Sequence, residues 1–180
     1  ERYCQEHFRA VNHLPPAWVG IKERGFRDII QSIVYDLKLP PLLWDKYLES
    51  TRIRPDFQLF MGNALVLIEI DENMHKKAEY RLGDGARDKA IADSEFHDVT
   101  IIRVNPDAYS DGPAIWKKKK VHLGMGREDV IISVDQGELN RRAAILRQTI
   151  SLVYVQIAMR RRFSHFFTPR TLQTIRLFFN

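Results

Sequence analysis

A chain of 180 residues is long enough for one compact domain, or for one domain with a helical extension. It has no run of about 18 apolar residues, so we expect no membrane span; its single cysteine excludes an internal disulfide and favours an intracellular location over secretion. The net charge of +5 favours polyanionic partners, because phosphate contacts supply most of the nonspecific affinity for nucleic acids.

The first predicted helix follows an irregular lead-in, residues 1–21, that contains Pro15-Pro16. Apolar residues recur at helical spacing from Phe26 to Leu37 and form one face of an amphipathic helix. Pro40-Pro41 ends this helix, because proline lacks an amide hydrogen and disfavours helix before it. Residues 42–54 are predicted to be irregular and partly exposed.

Two strands and a crossover helix come next. The strands are predicted over Asp56–Met61 and Ala64–Asp71, since a Gly62-Asn63 link between apolar runs is typical of a hairpin. The second run is apolar on both faces, which indicates a central, buried strand. A helix over Ala78–Asp93 and a buried strand over Val99–Val104 complete a strand–helix–strand unit. The pattern therefore predicts an α/β fold with a mixed sheet.

The C-terminal part, residues 113–180, is predicted to be a basic and mainly helical extension. Its four consecutive lysines, Lys117–Lys120, lie either in a phosphate-binding segment or in a solvated loop. A strand is predicted over Asp129–Val134 and a long helix over Leu139–Phe163, whose apolar stripe is either core or an oligomer interface. Thr168-Pro169 has the pattern of an N-cap followed by a first-turn proline, and predicts a last helix.

Three acidic residues are predicted to meet at one end of the sheet. Glu69 and Asp71 share a face of their strand, because side chains alternate, and the hairpin places Asp56 close to Glu69 and Ile70. Buried like charges repel, and a divalent cation relieves that repulsion. Carboxylate oxygens and water suit Mg²⁺, with Mn²⁺ as an alternative. The other interpretation is a solvated strand end, in which these acids pair with nearby arginines.

The order of these residues resembles a known nuclease pattern. Pro55-Asp56, a spacer and Glu69-x-Asp71 are similar to the PD-(D/E)xK pattern of the restriction-endonuclease-like superfamily, except that Asp71 stands at the lysine position. The runs Ile68–His75, Asp84-x-x-Arg87 and Ile102–Asp107 resemble the very-short-patch-repair-like branch. They are most similar to domains of large DNA viruses and protists that read RPD…IEIDENQH…RFNPD.

The resemblance covers about residues 22–109 and implies a restriction-endonuclease-like core over residues 22–112, with a mixed sheet flanked by helices. It implies an Mg²⁺-dependent endonuclease that hydrolyses DNA phosphodiester bonds in the nucleus, the cytoplasm or a virus-infected cell. The missing lysine favours an alternative, a catalytically inactive nucleic-acid-binding or structural module of the same fold. An RNA-directed nuclease is a third interpretation. A homodimer is compatible with the apolar stripe on residues 139–157, and no small-molecule cofactor is expected.

For the metal, the resemblance implies that Asp56 is the principal ligand and that Glu69 or Asp71 is the second acid. The Ile70 carbonyl could also bind the ion. His75 would stand near the scissile phosphate as acid, base or phosphate contact.

Members of this branch often add an acid from the first helix, and we expect this acid to be Glu23, ahead of Asp28 and Asp45. Lys76 or Lys77 could supply the positive charge that Asp71 cannot, because a lysine stem is long and its charge compact. The residues predicted to contact nucleic acid are Lys76, Lys77, Arg87, Lys117, Lys118, Lys119, Lys120, Arg160 and Arg161.

Overall fold

The computed structural model describes residues 21–48, 51, 53–71, 78–94, 98–107, 114–122, 128–163 and 172–177. The elements in these ranges are, in chain order, α1 (Ile21–Asp36), β1 (Leu43–Trp44), β2 (Phe57–Met61), β3 (Ala64–Ile70), α2 (Ala78–Ser94), β4 (Asp98–Val104), β5 (Trp116–His122), β6 (Glu128–Val134), α3 (Gln136–Phe163) and β7 (Leu172–Leu177). None of these helices has the length and apolar character that crossing a membrane requires. Nearly all of the predicted lead-in lies outside the described residues.

Five strands form one mixed sheet in the order β1-β2-β3-β4-β7. The first three strands are antiparallel neighbours, whereas β3, β4 and β7 run parallel. The predicted α/β class is therefore confirmed. The predicted hairpin is confirmed as well, with Met61 paired to Ala64. Gly62 has a φ of 68°, a left-handed conformation that glycine adopts at little cost.

Helices cover both faces of this sheet. Val66 and Ile68 of β3 join the apolar cluster under α1 and α3, whereas Leu65 and Leu67 join a second cluster that includes Ile91 of α2. All residues of β3 are buried, as predicted for a central strand. A strand buried on both faces reads as a continuous apolar run, which is why the sequence identified it.

The long helix α3 confirms the helix predicted over Leu139–Phe163, and its apolar stripe is core. Leu146, Ile150 and Val153 are buried in the same cluster as α1 and the sheet, so this stripe is not the dimer contact that the sequence left open. The helix begins at Asp135, whose Oδ1 accepts a hydrogen bond from Glu138 N at 3.1 Å.

The prediction of a last helix after Thr168-Pro169 is wrong. Leu172–Leu177 forms β7, which pairs with β4 in parallel from Val99↔Leu172 onward. Leu172, Ile175 and Phe178 do fit a helical spacing, but Ile175 and Leu177, two positions apart, pack against the core. The open edge of β4 offers hydrogen bonds to any neighbouring strand, and tertiary pairing of this kind overrides local helical preference. The C-terminal part of the chain thus completes the sheet begun by residues 22–112.

The run of lysines does not form a loop. Lys117–Lys120 lies in β5, which pairs antiparallel with β6 in a separate two-stranded sheet. The strand predicted over Asp129–Val134 is confirmed as β6.

Candidate metal centre

The structure brings Asp56 and Glu69 together at the carboxyl end of β3 and β4. Asp56 directly precedes β2, and its Oδ2 accepts a hydrogen bond from Ile70 N at 2.7 Å. This is the proximity that the hairpin predicts. Ligands of α/β folds bind at the carboxyl ends of parallel strands, so the position is a favourable one for a site.

Burial and mutual repulsion act on both carboxyl groups. Burial, the largest cause, and the negative charge of Glu69 raise the pKa of Asp56 to about 7, against a lowering by the Ile70 amide. The charges of Glu23 and Asp71 act in the same direction as Glu69. Burial also raises the pKa of Glu69, which is only 5% exposed. Three acids therefore lie within electrostatic range of Asp56.

Glu23, the acid expected from the first helix, is among the groups that raise the pKa of Asp56. Trp44 Nε1 donates a hydrogen bond to Glu23 Oε1 at 2.8 Å. Trp44 itself lies on β1 and pairs with Phe57, the residue after Asp56, so β1 positions Glu23 relative to the end of the sheet. The other two candidates are engaged elsewhere: Asp28 hydrogen-bonds Arg27 on the surface, and Asp45 forms an ion pair with Arg54 at 2.9 Å.

The start of α1 is fixed by a second set of contacts, which the sequence did not reveal. Lys22 forms an ion pair with Asp107, just after β4. The fully buried Arg142 of α3 donates Nη1 hydrogen bonds to the carbonyls of Asn105 at 2.6 Å and Asp107 at 3.0 Å. Lys22, the residue next to Glu23, is therefore linked through Asp107 to Arg142 of α3, the helix that packs beside α1.

Arg87 lies inside this charged group. Its Nη2 is 3.0 Å from Glu69 Oε1, and its charge lowers the pKa of Glu69 against the larger effect of burial. The contact is an ion pair at hydrogen-bonding distance, and it is the one charge-compensating contact that α2 makes to Glu69 among the described residues. Arg87 pairs across to β3, whereas Asp88, its neighbour on α2, turns to a different arginine. The positively charged Arg87 side chain thus lies beside Glu69, and a third of the Arg87 side chain is exposed to solvent.

Asp71 has a different environment from the other two predicted ligands. Arg103 Nη1 donates to both Asp71 oxygens, at 3.1 and 3.0 Å, while Arg103 Nη2 binds Asp88 of α2. Thr174 of β7 donates to the other Asp88 oxygen at 3.2 Å. Burial disfavours the charge of Arg103, but Asp88 and Asp71 together raise its pKa above the ordinary value. Asp71 is therefore already neutralised by an arginine.

The remaining predicted residues fall into two groups. His75, Lys76 and Lys77 lie outside the described residues. Arg160 is exposed near the end of α3, and Arg161 follows it in the same helix. Arg103 was not singled out from the sequence; the signal that could have identified it is an arginine inside an otherwise apolar strand.

The donor set suits a small hard cation that keeps most of its water. In the part of the chain that the structure describes, no three His, Cys, Asp or Glu residues form a ready-made cage. Mg²⁺ does not require one, because it is usually held by one or two carboxylates, water and substrate phosphate. Asp56 and Glu69 fit that requirement, because they supply two carboxyl groups at one end of the sheet. Comparisons with family models, curated proteins and solved structures find no match to this chain.

Replacing Arg103 with leucine should destabilise the protein by about 3–5 kcal/mol, because two buried carboxylates then lose their shared cation. Arg147→Leu is the matched control, since Arg147 pairs with Asp36 where both side chains are well exposed; it should cost at most about 1 kcal/mol. Urea unfolding of both variants measures the difference. Equal losses of stability would contradict a structural role for the Arg103 network.

Replacing Asp56 with asparagine should stabilise the metal-free protein at pH 8. A carboxyl group whose pKa rises from 3.8 to about 7 on folding binds its proton more tightly in the folded chain. Stability therefore falls as the pH rises between those values, by as much as about 4 kcal/mol. Asparagine removes that dependence and keeps an acceptor for the Ile70 amide.

Thermal unfolding in EDTA between pH 4 and pH 8 tests this expectation. Asp93→Asn, at an exposed carboxylate on α2, should retain the pH dependence of the wild type. An Asp56→Asn variant that unfolds with the same pH profile as the wild type would show that Asp56 carries no raised pKa.

Proposed function

We propose that this protein is a metal-dependent endonuclease that hydrolyses phosphodiester bonds in DNA, built on a restriction-endonuclease-like core. The observation that carries the proposal is the pairing of Asp56 with Glu69. Glu69 is buried and Asp56 partly buried at the carboxyl end of parallel strands, and the pKa values of both carboxyl groups are raised. Folding with both groups charged is costly unless a cation compensates them.

Asp56 and Glu69 would hold Mg²⁺ or Mn²⁺ between them. Such an ion lowers the pKa of a bound water and stabilises the negative charge of a phosphodiester under in-line attack. Glu23 stands within electrostatic range of Asp56 and is oriented by Trp44, so it can accept a proton from the attacking water or position that water.

Arg87 is the proposed source of positive charge in place of the missing lysine. Asp71, at the lysine position, is held by Arg103, whereas Arg87 is partly exposed beside Glu69. A guanidinium group there can bind a nonbridging phosphate oxygen with charge-assisted hydrogen bonds. His75, Lys76 and Lys77 remain proposed contacts to the same phosphate. This arrangement assigns Asp71 to the support of the site, not to metal binding.

A second candidate, an inactive nucleic-acid-binding module, is favoured by one specific observation. Glu69 and Asp71 already have arginine partners, Arg87 and Arg103, so much of the negative charge is compensated by the protein itself. Asp56 argues for the enzyme, because, among the described residues, no arginine or lysine is one of the main groups that act on its pKa.

Incubation with supercoiled plasmid distinguishes the two. With Mg²⁺ or Mn²⁺ the wild type should nick or linearise the plasmid, and EDTA should abolish the reaction. Asp56→Asn should lower the rate at least about 100-fold, the scale of losing one electrostatic contributor to a transition state. Asp93→Asn should cut at the wild-type rate.

An RNA of matched sequence, tested beside the DNA, decides between the two nucleic acids. Cleavage of the RNA alone would overturn the assignment to DNA. A folded protein that binds DNA and cuts neither substrate with either ion would be the inactive module.

A further inference from the structure

The β5–β6 hairpin, called the ribbon below, is a separate two-stranded sheet with an uneven charge. Its four lysines, Lys117–Lys120, pair with Ser133, Ile132, Ile131 and Val130, none of which is acidic. The acids of the ribbon, Glu128 and Asp129, pair with His122 and Val121 at the other end. The four lysines therefore follow one another over about 10 Å of strand backbone, at a rise of about 3.3 Å per residue, starting directly after Trp116 at its base.

The base of the ribbon is anchored to α1 by Trp116. The Trp116 ring packs against Phe26 with centroids 5.8 Å apart and an interplanar angle of 56°. It also lies over Gly25, where a Cβ atom would stand 2.6 Å from Trp116 Cζ2. On the other side of the base, Asp135 N donates to Ile115 O at 2.8 Å, and Ile115 is fully buried. The absence of a side chain at Gly25 thus leaves the space that the Trp116 ring occupies.

This anchor attaches the ribbon to the helix that carries Glu23. Gly25 and Phe26 follow Glu23 by two and three residues on α1, and the lysine run begins immediately after Trp116. The same first turns of α1 therefore present Glu23 to Asp56 and support the base of the ribbon.

We propose that the ribbon is an arm that binds the phosphate backbone of double-stranded DNA and directs the duplex toward Glu23 and Asp56. Lysine is a compact point charge that suits phosphate, and such contacts position a protein without reading sequence. The B-DNA major groove accepts a two-stranded ribbon, whereas the major groove of an RNA duplex is too narrow for side chains to read. The statement that the arm directs the duplex toward Glu23 and Asp56 rests on the proposed function. The statement that the arm binds duplex DNA does not rest on it.

The test is equilibrium binding of a fluorescent DNA duplex in EDTA, so that cleavage plays no part. The triple substitution K118Q/K119Q/K120Q should weaken binding at least tenfold near 100 mM salt. The slope of log K against log salt should become shallower by about 0.9 for every lysine–phosphate pair that the substitutions remove. The control K38Q/K89Q/R147Q removes the same charge from side chains exposed elsewhere, and it should bind within about twofold of the wild type.

A second variant, Gly25→Ala, keeps all four lysines but disturbs the contact between Trp116 and α1 that holds the base of the ribbon. Gly25→Ala should weaken binding because its Cβ displaces Trp116, although alanine is the better helix former by about 1 kcal/mol. Gly85→Ala is the matched control, since a Cβ at Gly85 of α2 meets no atom within 4 Å. It should bind as the wild type does, and circular dichroism should show all variants folded.

Four outcomes would overturn the proposal: equally weakened binding in both triple variants, an unchanged salt slope after the ribbon substitutions, wild-type binding by Gly25→Ala, or tighter binding to an RNA duplex of the same length. A wild type that cuts no plasmid, but whose duplex binding depends on the ribbon, would refute the nuclease and support the arm. Plasmid cleavage by a wild type whose duplex binding does not depend on the ribbon lysines would support the nuclease and refute the arm.

Discussion

The buried guanidinium of Arg103 is the group on which the polar end of this fold depends. It lies on β4, binds Asp71 after β3 and Asp88 on α2, and through Asp88 is linked to Thr174 on β7. Four elements thereby share one hydrogen-bonded network where the strands end. A buried charge of this kind is tolerated only when its partners are all in place, so the network also defines how these elements meet.

By neutralising Asp71, Arg103 leaves Asp56 and Glu69 as the pair with raised pKa values. Arg87 compensates Glu69 in part, and its exposure leaves it accessible to a ligand. Among the described residues, the groups that act most strongly on Asp56 are three acids and one backbone amide, with burial as the largest effect. In the proposed function, a divalent cation relieves the repulsion among these acids.

The sequence was sufficient for those parts of the fold whose signals are local. Gly62-Asn63 between apolar runs predicts the hairpin, and the hairpin brings Asp56 to Ile70. The apolar run of β3 predicts a central strand, whereas β7 was missed because an edge strand with mixed polarity has no comparable signal. Its pairing with β4 joins segments some 70 residues apart in sequence, which no local period encodes.

In the candidate site, the residues themselves were easier to predict from the sequence than the side chains with which each forms hydrogen bonds or ion pairs. Glu23 could be proposed from its place on the first helix, but Asp28 and Asp45 were excluded only by their own ion pairs and by the bond from Trp44. Arg87 was expected to contact nucleic acid, and the sequence did not indicate its ion pair with Glu69. Which side chains form these ion pairs and hydrogen bonds depends on rotamers and packing in the folded protein, which local sequence does not encode.

Titration of the protein with Mn²⁺ by calorimetry, in two buffers of different ionisation enthalpy, tests the central claim that Asp56 and Glu69 form a metal site. The account predicts binding at pH 8, release of protons at pH 6 where Asp56 is largely protonated, and an apparent affinity that weakens up to about tenfold per pH unit below the Asp56 pKa of about 7. Asp56→Asn should abolish the binding. Binding that is independent of pH, or that Asp56→Asn retains, would contradict it.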